Sequence, residues 1–317
     1  MVSVVIPAYR AVRSIAATLD SVLAQTYRDY EIIVVNDGSP DSAELENVLE
    51  RYASRLTYIR QENQGPAGAR NTGILAARGE YVALLDADDL WEPDHLAAQV
   101  PVLAGDASVD LVYADARIFG DAPEQGHTVM ELSPSEGEVT FESLVMCRCT
   151  VNICVCVARR QALLDAGLFD PAFRGTEDID MWLRLVKRGG HIIYQRRVLG
   201  RYRKQAGSLS SDSVRMIEGF LAVLAKAAQD PNLTWTERDA IESQCAHQRA
   251  RLALENGKRA FLAGDRNAAI RDLSRANAYF ESMRLTLVLF LVRVAPGLLQ
   301  TAYQWRERRV YKLKTEP

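Results

Sequence analysis

The chain has 317 residues, 48% of them hydrophobic and 25% charged, with a net charge of −3 and a pI near 5.9. This is the profile of a soluble globular protein with one large core or two moderate ones, and it excludes the broad basic field of a nucleic-acid binder. An anionic ligand must therefore be met by local charges.

The chain begins "MVSVVIPAYR", which lacks a charged n-region and reaches Pro7 after five residues, so it reads as a first strand and not as a secretory signal. Apolar runs at 2–6, 31–35, 56–59 and 81–85 alternate with amphipathic segments near 14–25, 41–52, 66–78 and 93–104. This alternation predicts an α/β fold, a mostly parallel sheet flanked by helices, with ligands collecting at the carboxyl ends of the strands. The first strand ends in "PAYR" and the second in "NDGSPD", where Asp37 precedes turn residues that let backbone N–H groups face a ligand. Neither end is a G-x-G-x-x-G or Walker loop, which disfavours a dinucleotide-binding dehydrogenase or a P-loop ATPase. The third strand leads into "RQENQGPAGARNTGILAARG", with Arg70 and Asn71 one turn inside a helix whose positive end favours anions.

The fourth strand runs into "LLDADDLWEP". In an extended segment Asp86 and Asp88 point to one side, where carboxylates suit Mg²⁺ or Mn²⁺ held together with substrate phosphates. An EF-hand is excluded by Leu90 at the fifth position and by the missing glycine at the sixth. A phosphatase-like D-x-D would follow the first strand and carry a hydroxyl residue where Leu90 stands. The alternative is a helix start, with Asp89 capping the segment that begins near Pro93 and its neighbours solvated.

Four of five cysteines crowd into "CRCTVNICVC", a spacing that is not a standard zinc pattern; Cys147, Cys149, Cys154 and Cys156 read as buried free thiols in a reducing cytoplasm. The four histidines form no ligand spacing and read as structural. In "FRGTEDIDMWLRLVKRGG", Ile179, Trp182, Leu183 and Val186 mark an amphipathic helix with Glu177 and Asp178 in its first turn and Thr176 as N-cap. Acids there also simply complement the helix dipole.

Beyond residue 211 the composition turns to helix formers. Gly257, Ala260, Ala269, Leu273 and Ala276 are spaced as in a tetratricopeptide-like hairpin, with Gly264 and Asp265 in the turn, although any small-residue hairpin would share the pattern. The last apolar run, over 284–312, is broken by Arg293 and Pro296 and followed by basic residues. It predicts a helix lying on an anionic membrane surface or, alternatively, a packed terminal helix with a solvated basic face.

Taken together, "VSVVIPAYR", "EIIVVNDGSPD", "NQGPAGARN" and "YVALLDADDLWEP" resemble, in order and spacing, the nucleotide-sugar half of glycosyltransferase family 2, the inverting enzymes of the GT-A fold. The resemblance covers about the first 210 residues and implies a catalytic domain over 1–210 (nucleotide-sugar half 1–105, acceptor half 106–210), followed by a helical extension over 211–317. It implies that Pro7, Ala8 and Tyr9 line the nucleoside pocket, that Asp37 accepts a hydrogen bond from the base, usually uracil, and that Arg70 lies against the nucleotide. Asp86 would reach the ribose or the metal shell, and Asp88 would ligate Mg²⁺ or Mn²⁺ beneath the diphosphate. The E-D pair implies Asp178 as general base, a weak one acting by positioning because its site at a helix N-terminus favours the ionised form, with Glu177 binding the acceptor or orienting that turn and Trp182 on the acceptor side. "GRYRKQAGSLS" resembles the family's closing element through Tyr202, Arg203, Ser208 and Ser210, with Gln205 where a histidine is frequent, which leaves Arg203 or Lys204 as the phosphate contact. The loop near 119–140 would select the acceptor. The implied reaction is sugar transfer from a nucleotide-diphospho-sugar to a glycan or lipid-linked acceptor of a bacterial surface polysaccharide, at the inner face of the plasma membrane. The alternatives are a degenerate domain serving as a binding scaffold and a sugar nucleotidyltransferase, the latter disfavoured because "PAYRAVRS" is not a glycine-rich basic loop.

Overall fold

The structure, a computed structural model, describes residues 1–205 and 212–300. The alternating runs of the first 105 residues form β1 (Val2–Ala8), α1 (Ile15–Leu23), β2 (Tyr30–Asp37), α2 (Ser42–Leu49), β3 (Thr57–Gln61), α3 (Gly65–Ala76), β4 (Tyr81–Leu84), β5 (Leu90–Trp91) and α4 (His95–Gly105). There follow β6 (Val109–Gly120), α5 (Val129–Leu132), α6 (Phe141–Val145), β7 (Cys156–Arg159), α7 (Arg160–Asp165), α8 (Glu177–Lys187) and β8 (His191–Lys204). The remaining helices are α9 (Ser213–Ala227), α10 (Trp235–Leu262), α11 (Arg266–Phe280) and α12 (Met283–Val294).

The strands form one sheet in the order β3-β2-β1-β4-β7-β6-β8-β5. The β1–β2, β1–β4, β2–β3 and β6–β8 pairs are parallel, whereas β7 runs against both β4 and β6, and β5 against β8. Reversing twice through β7 returns β6 and β8 to the direction of β1–β4. The carboxyl ends of β1, β2, β4, β6 and β8 therefore meet along one edge of the sheet, which is where a mostly parallel sheet gathers its ligand groups.

β1 is covered on both faces, with Val2, Val4, Val5 and Ile6 fully buried, as a continuous β-branched run predicts. α3 lies close on this strand because Gly73 has no side chain: a Cβ there would meet Val5 Cγ1 at 2.3 Å. That approach brings the first turns of α3, and Arg70 with them, to the functional edge.

The chain divides into two compact units, Met1–Asp212 with Ala222–Ile241, and Ser213–Leu221 with Glu242–Pro317. In the second unit, α10 and α11 form the expected hairpin, with Ala269, Leu273 and Ala276 buried and the Asp265 carboxylate capping α11 by accepting the Ala268 N–H at 2.9 Å. Leu285, Leu289 and Val292 of α12 join the same core. Cys149, Cys154 and Cys156 are buried free thiols, whereas Cys147 is exposed, contrary to expectation, in a left-handed turn (φ 54°) after α6. No helix among the described residues is long and apolar enough to cross a membrane.

Candidate active site

β1 and β2 end side by side, with Ala8 opposite Asn36, so that Tyr9 and Asp37 follow at adjacent positions. Pro7 is half-buried, Ala8 buried and Tyr9 exposed, with the Arg10 guanidinium 5.5 Å from the tyrosine ring centroid. Arg10 donates its backbone N–H to Ser39 Oγ at 2.6 Å and ties the two loops together. Asp37 is buried; its Oδ1 accepts from Gln61 Nε2 at 2.7 Å and from the backbone N–H of Gln64 at 2.8 Å, which fixes the carboxylate at the mouth of α3. Gly38 takes φ 63°, and a Cβ there would meet Asn63 N at 2.8 Å. Replacing Gly38 with Ala is expected to cost about 1–3 kcal/mol of stability, measured by denaturant unfolding, because the added Cβ meets the Asn63 backbone in a left-handed conformation.

The acid-rich segment is not extended. After β4 it folds into a turn closed by the Asp89 N–H on the Asp86 carbonyl at 3.0 Å. The buried Thr18 hydroxyl, on α1, reaches the carbonyls of Ala87 and Asp89 at 3.0 and 2.9 Å and holds the turn from below. Asp86 and Asp88 nevertheless share one environment: burial and then the neighbouring Asp86 charge push Asp88 up to about 6, against the opposing pull of Arg203. Arg203, at the end of β8, donates Nε to the Asp88 carbonyl at 2.7 Å, and its guanidinium lies 4.3 Å from the Phe119 ring centroid. Asp89 does not cap the following helix. It is buried, its Oδ1 accepts the Arg203 N–H at 2.6 Å, and Asp94 holds the N-cap position of α4. Asp89 thus locks β8 to the acid turn, while burial and then Asp88 and Asp86 raise its carboxyl well above the usual range.

α8 brings the second acidic pair to the same edge. Arg70 bridges the two clusters, donating Nη2 to Asp86 Oδ1 and Nη1 to Glu177 Oε1, both at 2.6 Å. It is only 4% exposed, and although burial opposes its charge, the two carboxylates more than offset that and hold the guanidinium protonated. Asp178 stands beside this bridge, half-buried, with Oδ1 accepting the Ile179 N–H at 2.8 Å. A helix N-terminus alone would hold its carboxyl low. Burial first, and then the adjacent Glu177 charge, instead push it up to about 7, in spite of Arg70 and the Ile179 amide.

Glu177 is buried and engages both oxygens inside the protein, Oε1 with Arg70 and Oε2 with the Gly175 N–H, contacts that orient the turn, the second of the two roles expected of it. Two other expectations change here. Trp182 is 1% exposed and packs edge-on against Phe169 at 6.1 Å, beneath the site and not in it. Arg70 faces carboxylates, with both terminal nitrogens engaged, and does not lie open to a nucleotide. Thr176 holds the N-cap position of α8 without a side-chain cap, because Glu177 and Asp178 take the nearby amides themselves. Ser208 and Ser210 lie outside the described residues. Lys204 pairs with Glu124 at 3.3 Å.

Among the described residues, no group of three or more His, Cys, Asp or Glu side chains could hold a metal ion by itself. Asp86 and Asp88 still fit a hard cation chemically: they are two crowded carboxylates, one of them raised by the other's charge, with room in an oxygen coordination shell for phosphate oxygens. A sequence model described as Glycosyl transferase family 2 matches residues 3–167, just over half of the chain. The chain belongs to glycosyltransferase family 2. Relatives of this family member include an uncharacterized glycosyltransferase of Rickettsia felis, 31% identical over 192 residues, covering 59% of this chain and 31% of the relative. The Amylovoran biosynthesis glycosyltransferase AmsB of Erwinia amylovora is 33% identical over 210 residues (63% and 68% coverage). The UDP-Glc:alpha-D-GlcNAc-diphosphoundecaprenol beta-1,3-glucosyltransferase WfgD of Escherichia coli is 29% identical over 233 residues (73% and 88%). The chain thus spans about a third of the length of the Rickettsia felis relative and most of WfgD. Among solved structures, S. aureus TarS 1-349 in complex with UDP-GlcNAc superposes with a TM-score of 0.64 at 18% identity, over 92% of this chain and 87% of that one. The mannosyltransferase PcManGT of Pyrobaculum calidifontis, in complex with GDP-Man and Mn²⁺, gives 0.63 at 22%, over 98% and 84%. These likenesses establish the GT-A fold.

Proposed function

We propose that this family 2 member is a metal-dependent inverting glycosyltransferase that moves a sugar from a UDP-sugar to a lipid-linked or glycan acceptor in bacterial surface polysaccharide synthesis. The observation that carries the reading is the meeting of Asp37, Asp86, Asp88 and Arg203 with the Glu177–Asp178 turn at one sheet edge, joined by the Arg70 bridge. It is supported by the undecaprenol-linked acceptor in the name of WfgD and by amylovoran biosynthesis in that of AmsB.

In this reading residues 1–210 carry the reaction. Asp37 binds the base, Tyr9 covers it, and Arg203 faces the diphosphate. Asp86 and Asp88 would hold Mg²⁺ or Mn²⁺, which neutralises charge on the departing nucleoside diphosphate. Asp178 takes the proton of the acceptor hydroxyl as that oxygen bonds to the anomeric carbon and the bond from that carbon to the diphosphate oxygen breaks. A carboxyl titrating near 7 is a stronger base than an ordinary aspartate and is still half ionised at neutral pH. A donor panel with a diphosphate-lipid acceptor tests this: nucleoside diphosphate should be released from UDP-sugars and stop with EDTA. Release from GDP-sugars alone would overturn the uracil assignment, and no release from any donor would favour a binding scaffold.

The same proposal places the enzyme at the inner membrane face through α12. This helix buries Leu285, Leu289 and Val292 but exposes Met283, Leu287, Phe290 and Val294, a stripe flanked by Arg284 and Arg293 with no acid in the helix. Such a stripe suits an anionic lipid surface, the arginines reaching the headgroups. Leu287→Glu with Phe290→Glu is expected to abolish flotation with phosphatidylglycerol vesicles while leaving the buried face intact. Unchanged flotation would refute the lipid contact.

A further inference from the structure

We propose that the consecutive residues Arg70 and Asn71 of α3 are positioning residues that hold the base-bearing turn against the acid turn, so that base and donor keep one fixed separation. The inference rests on the reading of Asp178 as base.

α3 belongs to the donor half of the sheet, yet its side chains grip the segment leading into α8 at both ends. At the far end, Arg70 Nη1 binds Glu177, the residue immediately before Asp178, while Nη2 binds Asp86. At the near end, Asn71 exchanges two hydrogen bonds with the backbone of Phe169: Nδ2 donates to its carbonyl at 2.7 Å and Oδ1 accepts its N–H at 2.9 Å. The Phe169 ring in turn lies 5.8 Å below the Arg70 guanidinium and packs on Trp182 of α8. The segment between these grips, residues 170–176, has neither helix nor strand and holds a positive-φ residue at Gly175. It therefore draws its shape from side-chain contacts, these two grips and the Lys226–Asp170 ion pair at 2.7 Å among them, and not from a helix or strand ladder. The two grips differ in a useful way, because Asn71 touches none of the carboxylates assigned to the cation or donor. A base displaced by about 1 Å costs on the order of 100-fold in rate without any loss of substrate affinity, which gives positioning a signature distinct from donor contact.

The test measures UDP affinity with Mn²⁺ by calorimetry, together with kcat, on wild type, Asn71→Ala, Arg70→Lys, Arg70→Met and Asp178→Asn. Asn71→Ala should keep UDP affinity within about twofold while kcat falls about tenfold or more. Arg70→Met should lose about 100-fold in kcat. Arg70→Lys should recover part of that loss, since one ammonium replaces the charge but not the two-pronged geometry. Should Arg70→Met fail to fold with Glu177 buried and unpaired, Arg70→Met combined with Glu177→Gln removes both charges and serves in its place. Equal losses of UDP affinity and kcat in Asn71→Ala, or an unchanged kcat, would overturn the proposal. Asp178→Asn separates the two claims: full turnover in that variant refutes the base reading, whereas its loss beside an unchanged kcat in Asn71→Ala refutes the positioning role alone.

Discussion

Asp178→Asn is expected to lower kcat by about 10²–10⁴-fold, roughly 3–5 kcal/mol of transition-state stabilisation, while leaving metal-dependent nucleotide binding nearly unchanged. Asparagine keeps the shape of the side chain and the contact with the Ile179 amide but cannot take a proton. The wild-type pH profile makes the same claim in another form. Burial and Glu177 raise this carboxyl to about 7, so below that value the free enzyme holds the base protonated. Accordingly kcat/KM should rise by about tenfold per pH unit up to neutrality and level off above it, and Asp178→Asn should flatten that limb. The linkage sign gives a control. A carboxyl raised on folding contributes stability at acid pH that is lost as pH rises through 7, so the neutral amide should melt no lower than wild type at pH 8. A variant with normal turnover, or a lowered melting temperature that accounts for the loss, would remove Asp178 from the role.

The second large effect is expected at Asp88. Its carboxyl is crowded by burial and by Asp86, and its peptide carbonyl is held by Arg203 Nε at 2.7 Å, so the side chain is presented in a fixed place. Asp88→Asn removes one of the two carboxylates proposed to hold a cation there. It should reduce nucleotide affinity in Mn²⁺ to the level seen in EDTA and lower turnover by at least about 10³-fold, a loss of several kcal/mol of charge stabilisation. Asp89→Asn, one residue on, should behave differently. Its carboxyl holds the Arg203 backbone N–H, and its loss is expected chiefly in stability.

The contrast between these neighbours shows what the sequence could and could not reveal. The β-branched runs ending at Ala8, Asp37 and Leu84 were legible because a doubly covered strand needs continuous apolar residues, and the groups at their carboxyl ends followed from that. Which of Asp86, Asp88 and Asp89 faces solvent was not, because it depends on Thr18 and Arg203, which are distant in the chain. The same holds for the second half of the site. The spacing of Glu177 and Asp178 placed them in the first turn of a helix, and helix electrostatics alone predicted a low carboxyl at Asp178. Its elevation comes from burial and from the neighbouring Glu177, which Arg70 holds in place from 107 residues away. Trp182 shows the converse error: a resemblance assigned it to the acceptor, whereas packing on Phe169 puts it in the core.

The most direct measurement is calorimetric titration of the wild-type chain with UDP, GDP and dTDP, each in Mn²⁺ and in EDTA. The arrangement of Asp37, Asp86, Asp88 and Arg203 predicts binding of UDP in Mn²⁺, with little in EDTA and weaker binding of the other two. Equal binding in EDTA, or no binding of any nucleotide under either condition, would contradict it.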